Sequence, residues 1–202
     1  MPTLIRKFIL KMAFSASYKQ VDVLVDTLDK QLIFQLIYWI ERVMNMLLPA
    51  MLYREPLLNG LKKHIYDDEM LFYSGWNGCS LPEISDEFDG YNYRFAILDG
   101  DNVIGYFCYH YDTHSRCLSN FGLYSFDKGN PIIGKDVLRE IRRIIKEYKP
   151  HRMEWRMIGG NPVEKHYDRF CKRYNGKKFV LTDVIRDRYG NYHNDVIYEI
   201  IF

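Results

Sequence analysis

A predicted strand, helix and strand follow one another in the middle of the chain and constrain the fold more than any other feature. Alternating apolar residues predict the strands at Cys117–Phe126 and Met153–Ile158, and an amphipathic helix follows Gly134 and ends near Pro150. A helix that links two strands of one sheet returns the chain to the same end of that sheet, so the two strands must be parallel. The sequence therefore predicts a sheet with one parallel pair.

Further strands lie on either side of this unit. Tyr93–Leu98 and Val103–His110 read as a hairpin, because the Asp-Gly-Asp-Asn segment between them accepts turn conformations. Closing strands are predicted at Phe179–Arg186 and Val196–Phe202, joined by a Gly-Asn turn. We expect an α/β (α+β) fold, with a mixed, mostly antiparallel sheet of six or seven strands and helices on both faces.

Three more helices are predicted around the sheet. Apolar residues recur every three or four positions in Tyr18–Leu48, a shorter helix covers Leu57–Tyr66, and another starts at Pro162. We therefore place an N-terminal helical extension at residues 1–50 and one main domain at residues 51–202. Packing on the sheet and formation of a homodimer are both open roles for the extension.

Charge and composition exclude several classes of function. Lys plus Arg total 28 against 26 for Asp plus Glu, so no uniform field would attract nucleic acid or an anionic membrane. The four cysteines form no CxxC pair and the six histidines no HExxH motif, so no metal site is predicted. Lys11 interrupts the apolar N-terminus, and Glu41 and Arg42 lie within the apolar segment Leu32–Tyr53. We expect a cytoplasmic protein that binds neither nucleic acid nor membrane.

The segment SNFGLYSFDKGNPIIGKDVLREIRRI is the first of three that resemble the GNAT superfamily of N-acetyltransferases, over the chain from about Met51 onward. It is similar to the family's strand, phosphate loop and helix, where backbone N–H groups at the helix N-terminus hold the CoA pyrophosphate. Gly134 matches the last glycine of the loop, but Gly129 stands where Arg or Gln is usual and Ile132 where Gly is usual.

This resemblance implies acetyl-CoA as cosubstrate and a set of contacts to it. The main chain of Leu123, Tyr124 and Ser125 would pair with the pantetheine arm as an added strand does. The remaining implied contacts lie in the phosphate loop and after the fourth strand: Gly129, Asn130, Ile133, Gly134, Lys135 and Asn161. Taken alone, the loop fits an ordinary entry into a helix better than a phosphate-binding loop.

The second segment, MEWRMIGGNPVEKHYDRF, is similar to the family's next strand and helix. Tyr167 matches the residue that in the family protonates the departing CoA thiolate, and a phenol near pKa ~10 can share its proton with a thiolate near ~8.5. The alternative is a tyrosine packed in the core.

A general base is also needed, because an ammonium group must lose a proton before it attacks a thioester. The residues do not single one out. Glu154 is our candidate on the fourth strand, and the loop carboxylates Asp127, Glu83, Asp86 and Glu87 are alternatives. The histidines near predicted strand ends, His110, His114 and His193, fit turn or surface positions better.

The third segment, DVIRDRYGNYHNDVIYEI, is similar to the closing hairpin that flanks the acceptor pocket in this family. The resemblance implies direct transfer of an acetyl group from acetyl-CoA to a primary amine of a small molecule, a peptide N-terminus or a lysine. Two alternatives stay open: a catalytically degenerate GNAT-fold protein that acts through its N-terminal helix, and an unrelated α/β binding module.

Overall fold

The computed structural model describes residues 47–64, 82–84, 90–187 and 189–202. The chain divides into two units, Met1–Met44 and Asn45–Phe202, and every described residue belongs to the second. The helix predicted over Tyr18–Leu48 therefore lies outside the described residues except for its last two positions, and so does most of the long loop after residue 66. The N-terminal extension stays a prediction.

A single seven-stranded sheet organises the described residues. In chain order the strands are β1 (Leu48–Pro49), β2 (Asn92–Asp99), β3 (Asn102–Asp112), β4 (Cys117–Ser125), β5 (Arg152–Ile158), β6 (Lys177–Arg186) and β7 (Tyr192–Ile201). Their spatial order is β1-β2-β3-β4-β5-β7-β6. Only β4 and β5 are parallel, and the other neighbours are antiparallel. The predicted mixed sheet with one parallel pair is confirmed.

Helices cover both faces of this sheet, as predicted. The helix α1 (Arg54–His64) buries its leucines against Ala96 and Tyr106, on what we call the α1 face. The helices α2 (Pro131–Tyr148) and α3 (Glu164–Arg173) pack on the opposite side, the α2/α3 face. None of the helices in the described ranges is both long and apolar enough to cross a membrane.

Most predicted boundaries move by a few residues for identifiable reasons. The helix α2 begins at Pro131 rather than Gly134, because proline suits the first helical position and Asn130 caps it. The helix α3 begins at Glu164 rather than Pro162. Strand β7 begins at Tyr192, four residues before the predicted Val196, so the closing hairpin is longer than expected.

Three further differences concern the start of the domain and the position of His110. Leu48 and Pro49 form β1 beside β2 rather than the end of a helix, and Ala50 is buried, so the described core begins before Met51. Helix α1 begins at Arg54 instead of Leu57. Strand β3 continues to Asp112, which places His110 inside a strand instead of at its end.

Candidate active site

The two parallel strands separate almost as soon as they meet. Cys117 pairs with Arg152 and Leu118 with Met153, and no further pair joins β4 to β5. Beyond these rungs, Ser119–Ser125 and Glu154–Ile158 diverge, and we call the space between them the cleft. The cleft is open at the carboxyl ends of the strands, where ligands bind in open α/β sheets.

A β-bulge in β4 accompanies this separation. From Ser119 to Gly122 strand β4 advances three residues, while β3 advances two, from His110 to Cys108. The extra residue is Asn120, whose φ of 52° lies in the left-handed region that asparagine tolerates. Because bulges bend a strand and increase its twist, the bulge turns the upper half of β4 away from β5.

The upper half of β4 carries the three residues that we expected to bind pantetheine. Leu123, Tyr124 and Ser125 pair with β3 on one edge and have no strand on the other, cleft-facing edge. An unpaired strand edge presents N–H and C=O groups that an extended ligand can bind. The structure therefore brings these residues together along one wall of the cleft.

The mouth of the cleft lies at the N-terminus of α2, directly after β4. A Cβ atom placed on Gly134 or on Gly129 would meet no atom within 4 Å, so side chains do not plug the mouth there. Gly129 has a φ of +83°, a conformation that favours glycine. Lys135 is exposed beside them and adds a positive charge. The space and the sign of the helix dipole suit an anion.

The same mouth offers few hydrogen-bond donors. Pro131 has no N–H group, and the N–H of Ile132 already donates to the Asn130 side chain at 3.0 Å. The Asn130 amide donates in turn to Asp127 at 2.8 Å and to Asp99 at 3.3 Å. Asn130 is thus a helix cap, and Ile133 is the first residue of α2 whose N–H is neither missing nor capped by this asparagine.

Tyr167 lies over the base of the cleft on the α2/α3 face. Its ring meets Trp155 of β5 edge-on, with centroids 6.1 Å apart, and also meets Tyr198 of β7 edge-on. Burial raises the pKa of Tyr167 to about 12, and its hydroxyl has no hydrogen-bond partner within the described residues. Tyr167 is packed against the core, as one reading predicted, and no described residue accepts a hydrogen bond from its hydroxyl, which the other reading requires.

Ionic contacts hold α3 in place over the sheet. Lys178 of β6 donates to Glu164 and to Asp168, each at 2.8 Å, and Tyr198 donates to Asp168 at 2.7 Å. The hydrogen bond from Lys178 lowers the pKa of Asp168. These contacts fix the helix that carries Tyr167 relative to β5–β7.

Trp155 is a site residue that the sequence did not reveal. It lies two residues beyond the last parallel pair on β5, is 6% exposed, and stacks on Tyr198 at 5.0 Å. Its indole Nε1 is buried and has no hydrogen-bond partner among the described residues. A buried donor without a partner costs roughly 1–3 kcal/mol. Such a donor beside the cleft suggests a partner that arrives with a ligand.

Glu154 and Tyr167 lie on opposite faces of the sheet. Glu154 alternates with the core residues Met153 and Trp155, so it points to the α1 face, where it contacts Arg152 at 2.6 Å. Arg152 also contacts Glu199 at 3.1 Å. The two predicted catalytic residues are therefore at the same depth of the cleft but not on the same side.

The other predicted site residues are spread around the sheet. Asn161, at the open end beyond β5, accepts from the N–H of Val163 at 3.0 Å. Asp127 lies at the mouth, His114 in an exposed turn, and His193 beside Asp187 at 3.0 Å. Glu83 is described only as part of a three-residue stretch, and Asp86 and Glu87 lie outside the described residues.

Solved acetyltransferase structures share this architecture. A spermidine N-acetyltransferase from Vibrio cholerae, in complex with CoA and spermine, is 13% identical, with a TM-score of 0.55 over 71% of this chain and 89% of that one. An N-acetyltransferase from Staphylococcus aureus Mu50 is 14% identical, with a TM-score of 0.53 over 71% and 92%. The chain spans only 60% and 63% of two other acetyltransferase structures.

No family model and no curated protein matches the sequence. At this level of identity the structural likeness establishes the fold, which is that of the GNAT N-acetyltransferases, as the sequence resemblance implied. The function is therefore inferred from the cleft, its mouth and the residues around them.

Proposed function

We propose that the protein is an N-acetyltransferase that moves the acetyl group of acetyl-CoA directly onto a primary amine. The observation that carries this proposal is the early separation of β4 from β5 at the Asn120 bulge. It leaves an unpaired strand edge that leads from the mouth of the cleft down to Tyr167 and Trp155. The protein from Vibrio cholerae with the same fold binds CoA and spermine, which supports an amine acceptor here.

The dimensions of the cleft suit the arm of acetyl-CoA. From Asn120 to Ser125 the strand rises by roughly 17 Å, at about 3.3 Å per residue. This span fits an extended pantetheine chain that hydrogen-bonds to Leu123, Tyr124 and Ser125. The diphosphate would then lie against Gly129, Ile133, Gly134 and Lys135, with Asn130 shaping the turn and Asn161 across the open end. The arm fits better than the diphosphate, because the mouth has few donors.

Tyr167 is the proposed proton donor to the CoA thiolate. A phenol whose pKa is about 12 stays protonated at neutral pH, so its hydroxyl can hydrogen-bond the sulfur as negative charge develops there. A covalent route through a cysteine is disfavoured, because burial raises the pKa of both Cys108 and Cys117 and a neutral thiol is a poor nucleophile. The acceptor amine therefore attacks the thioester itself.

A second candidate function is a GNAT-fold protein that binds a partner and does not catalyse. The donor-poor mouth favours it, since Pro131 lacks an N–H group and Asp99 and Asp127 place negative charge where a diphosphate would bind. Under this reading the unused Tyr167 hydroxyl has no chemical role.

The two functions are separated by measuring binding and turnover together. Thermal shift with acetyl-CoA reports binding, and thiol release against polyamines, peptide N-termini and lysine reports transfer. We expect stabilisation by acetyl-CoA and thiol release with at least one amine class. Stabilisation without thiol release on any amine supports the binding protein. Absence of both effects rules out the acetyl-CoA site altogether.

A further inference from the structure

A histidine on the α1 face lies level with the base of the cleft. His110 alternates with the core residues Tyr109 and Tyr111 of the α2/α3 face, so its side chain points to the opposite face. It pairs with Ser119, the last residue of β4 before the bulge. Ser119 and Glu154 directly follow the last parallel pair on their strands. His110, Ser119 and Glu154 therefore form one row across the sheet where the cleft begins.

Asn92 determines which nitrogen of this imidazole carries hydrogen. Nδ1 of His110 lies 2.9 Å from Oδ1 of Asn92. An amide oxygen only accepts hydrogen bonds, so Nδ1 is the protonated nitrogen and Nε2 keeps its lone pair. The Tyr91 ring lies beside the imidazole, with centroids 6.3 Å apart. An imidazole held in this form accepts a proton at Nε2 without rearrangement.

We propose that Nε2 of His110 is the base that deprotonates the acceptor ammonium, directly or through one water, and that Asn92 is its positioning residue. The inference rests on the acetyl transfer proposed above. Glu154, the other candidate in the same row, has a carboxylate oxygen 2.6 Å from Arg152. That carboxylate already contacts a guanidinium, whereas Nε2 of His110 has no hydrogen-bond partner within the described residues.

The proton balance of the step is complete with these two side chains. The ammonium gives one proton to Nε2 of His110, and the neutral amine attacks the thioester carbon. A C–N bond forms and the C–S bond breaks, and the departing thiolate takes the proton of the Tyr167 hydroxyl. The new amide nitrogen gives its second proton, through solvent, to the Tyr167 phenolate, which restores the phenol. His110 then releases its proton to solvent, leaving a neutral amide and free thiol.

Several ionisable groups lie around His110 on the α1 face: Arg94, Cys108, Asp112, Cys117, Arg152 and Glu154, with the Tyr91 ring beside the imidazole. The hydrogen bond from Ser115 lowers the pKa of Asp112, and burial raises the pKa of both thiols. The Asp112 carboxyl and the two thiols therefore keep one charge state around neutral pH.

Activity measurements on matched variants test this role. In His110→Gln we expect kcat to fall roughly 100-fold, with KM for acetyl-CoA nearly unchanged, as for loss of a general base. His114→Gln, in the exposed turn nearby, is the control and should match wild type. Glu154→Gln should lose far less activity than His110→Gln. The reverse order, with Glu154→Gln inactive and His110→Gln active, overturns the proposal and leaves acetyl transfer intact.

A second readout needs no turnover. Nitrogen-15 NMR of the free protein should show His110 protonated at Nδ1 near neutral pH. An Nε2–H form overturns the assignment, whatever the activity. In Asn92→Asp the new carboxylate should raise the imidazole pKa, so the acid limb of kcat/KM should move to higher pH by about one unit or more. An unmoved limb contradicts the positioning role, whereas absence of turnover in wild type contradicts the acetyl-transfer proposal itself.

Discussion

The two ends of the cleft differ in how many hydrogen-bond donors they leave available to a ligand. At the mouth, Pro131 has no N–H group, the N–H of Ile132 is already bound by Asn130, and two aspartates lie nearby. At the base, the Tyr167 hydroxyl and the Trp155 Nε1 have no hydrogen-bond partner within the described residues. The mouth thus offers few donors to a ligand, whereas the base offers two.

This contrast indicates where binding energy for an acyl donor would arise. A ligand group at the base accepts hydrogen bonds from donors that have no protein partner to give up. A diphosphate at the mouth is instead repelled by the neighbouring carboxylates. We therefore expect affinity to depend more on the arm and thioester than on the diphosphate. Four measurements test this contrast, from the largest expected effect to the smallest.

Replacing Tyr167 should have the largest effect. In Tyr167→Phe the thiolate loses its hydrogen-bond donor, and we expect kcat to fall about 100-fold, with acetyl-CoA binding nearly unchanged. Thiol release measures the rate, and calorimetry the affinity. Tyr174→Phe, at the C-cap of the same helix and packed against Phe170, is the control and should keep full activity. Normal turnover in Tyr167→Phe would show that the base of the cleft is only a packed core.

Replacing Trp155 should have a smaller effect, and on binding rather than on the rate. In Trp155→Phe one hydrogen bond is lost, so we expect Kd for acetyl-CoA to rise roughly 3- to 10-fold. The indole N–H resonance of the wild-type protein should shift when acetyl-CoA is added, and should not shift with adenosine 3′,5′-diphosphate, which lacks the arm. An unmoved resonance would mean that no ligand group reaches Nε1.

Removing a carboxylate from the mouth should tighten binding slightly. In Asp99→Asn we expect Kd for acetyl-CoA to fall about 2- to 5-fold at low salt and the gain to fade at high salt. Acetyl-pantetheine, which has no diphosphate, should bind both proteins equally. Asp101→Asn in the same turn is the control. An equal gain with acetyl-pantetheine would contradict an effect that acts on the diphosphate.

The smallest effect is expected in the turn between β6 and β7, on the pH dependence of stability. Hydrogen bonds from His193 and Asn191 lower the pKa of Asp187 to about 2, against an ordinary value near 3.9. A lowered carboxyl pKa stabilises the folded state above the ordinary value, and that contribution is lost as pH falls from about 4 to about 2. Asp187→Asn should therefore be less stable than wild type at pH 6 but not at pH 2, by chemical unfolding. Acetyl-CoA affinity should not change.

Periodicity and turn chemistry were sufficient to predict most of the fold. The helix between Cys117–Phe126 and Met153–Ile158 required a parallel pair, which the structure confirms. The spacing of apolar residues also assigned helices to both faces. The start of helix α2 was predicted less exactly, because the capping residue Asn130 and Pro131 set it. The sequence of this loop resembled a phosphate-binding loop more than a capped helix.

The site was harder to predict, because its geometry depends on which residues of distant strands lie at the same level. Asn92 and His110 are far apart in sequence and meet only through the β2–β3 register. Trp155 looks like any core tryptophan until the early end of the β4–β5 pairing exposes its position beside the cleft. Register and bulge position are set by tertiary packing, which local patterns do not encode.

The extra residue Asn120 shapes the cleft without disturbing the packing of β4 on the core. On either side of it, Leu118 and Phe121 pack on the same face, and Cys108 still pairs with Gly122. A chain without Asn120 would keep strict alternation and every contact of β4 with β3, and its free edge could then run straight along β5. The proposed binding edge of β4 would thus depend on one inserted residue, which the packing of the sheet does not require.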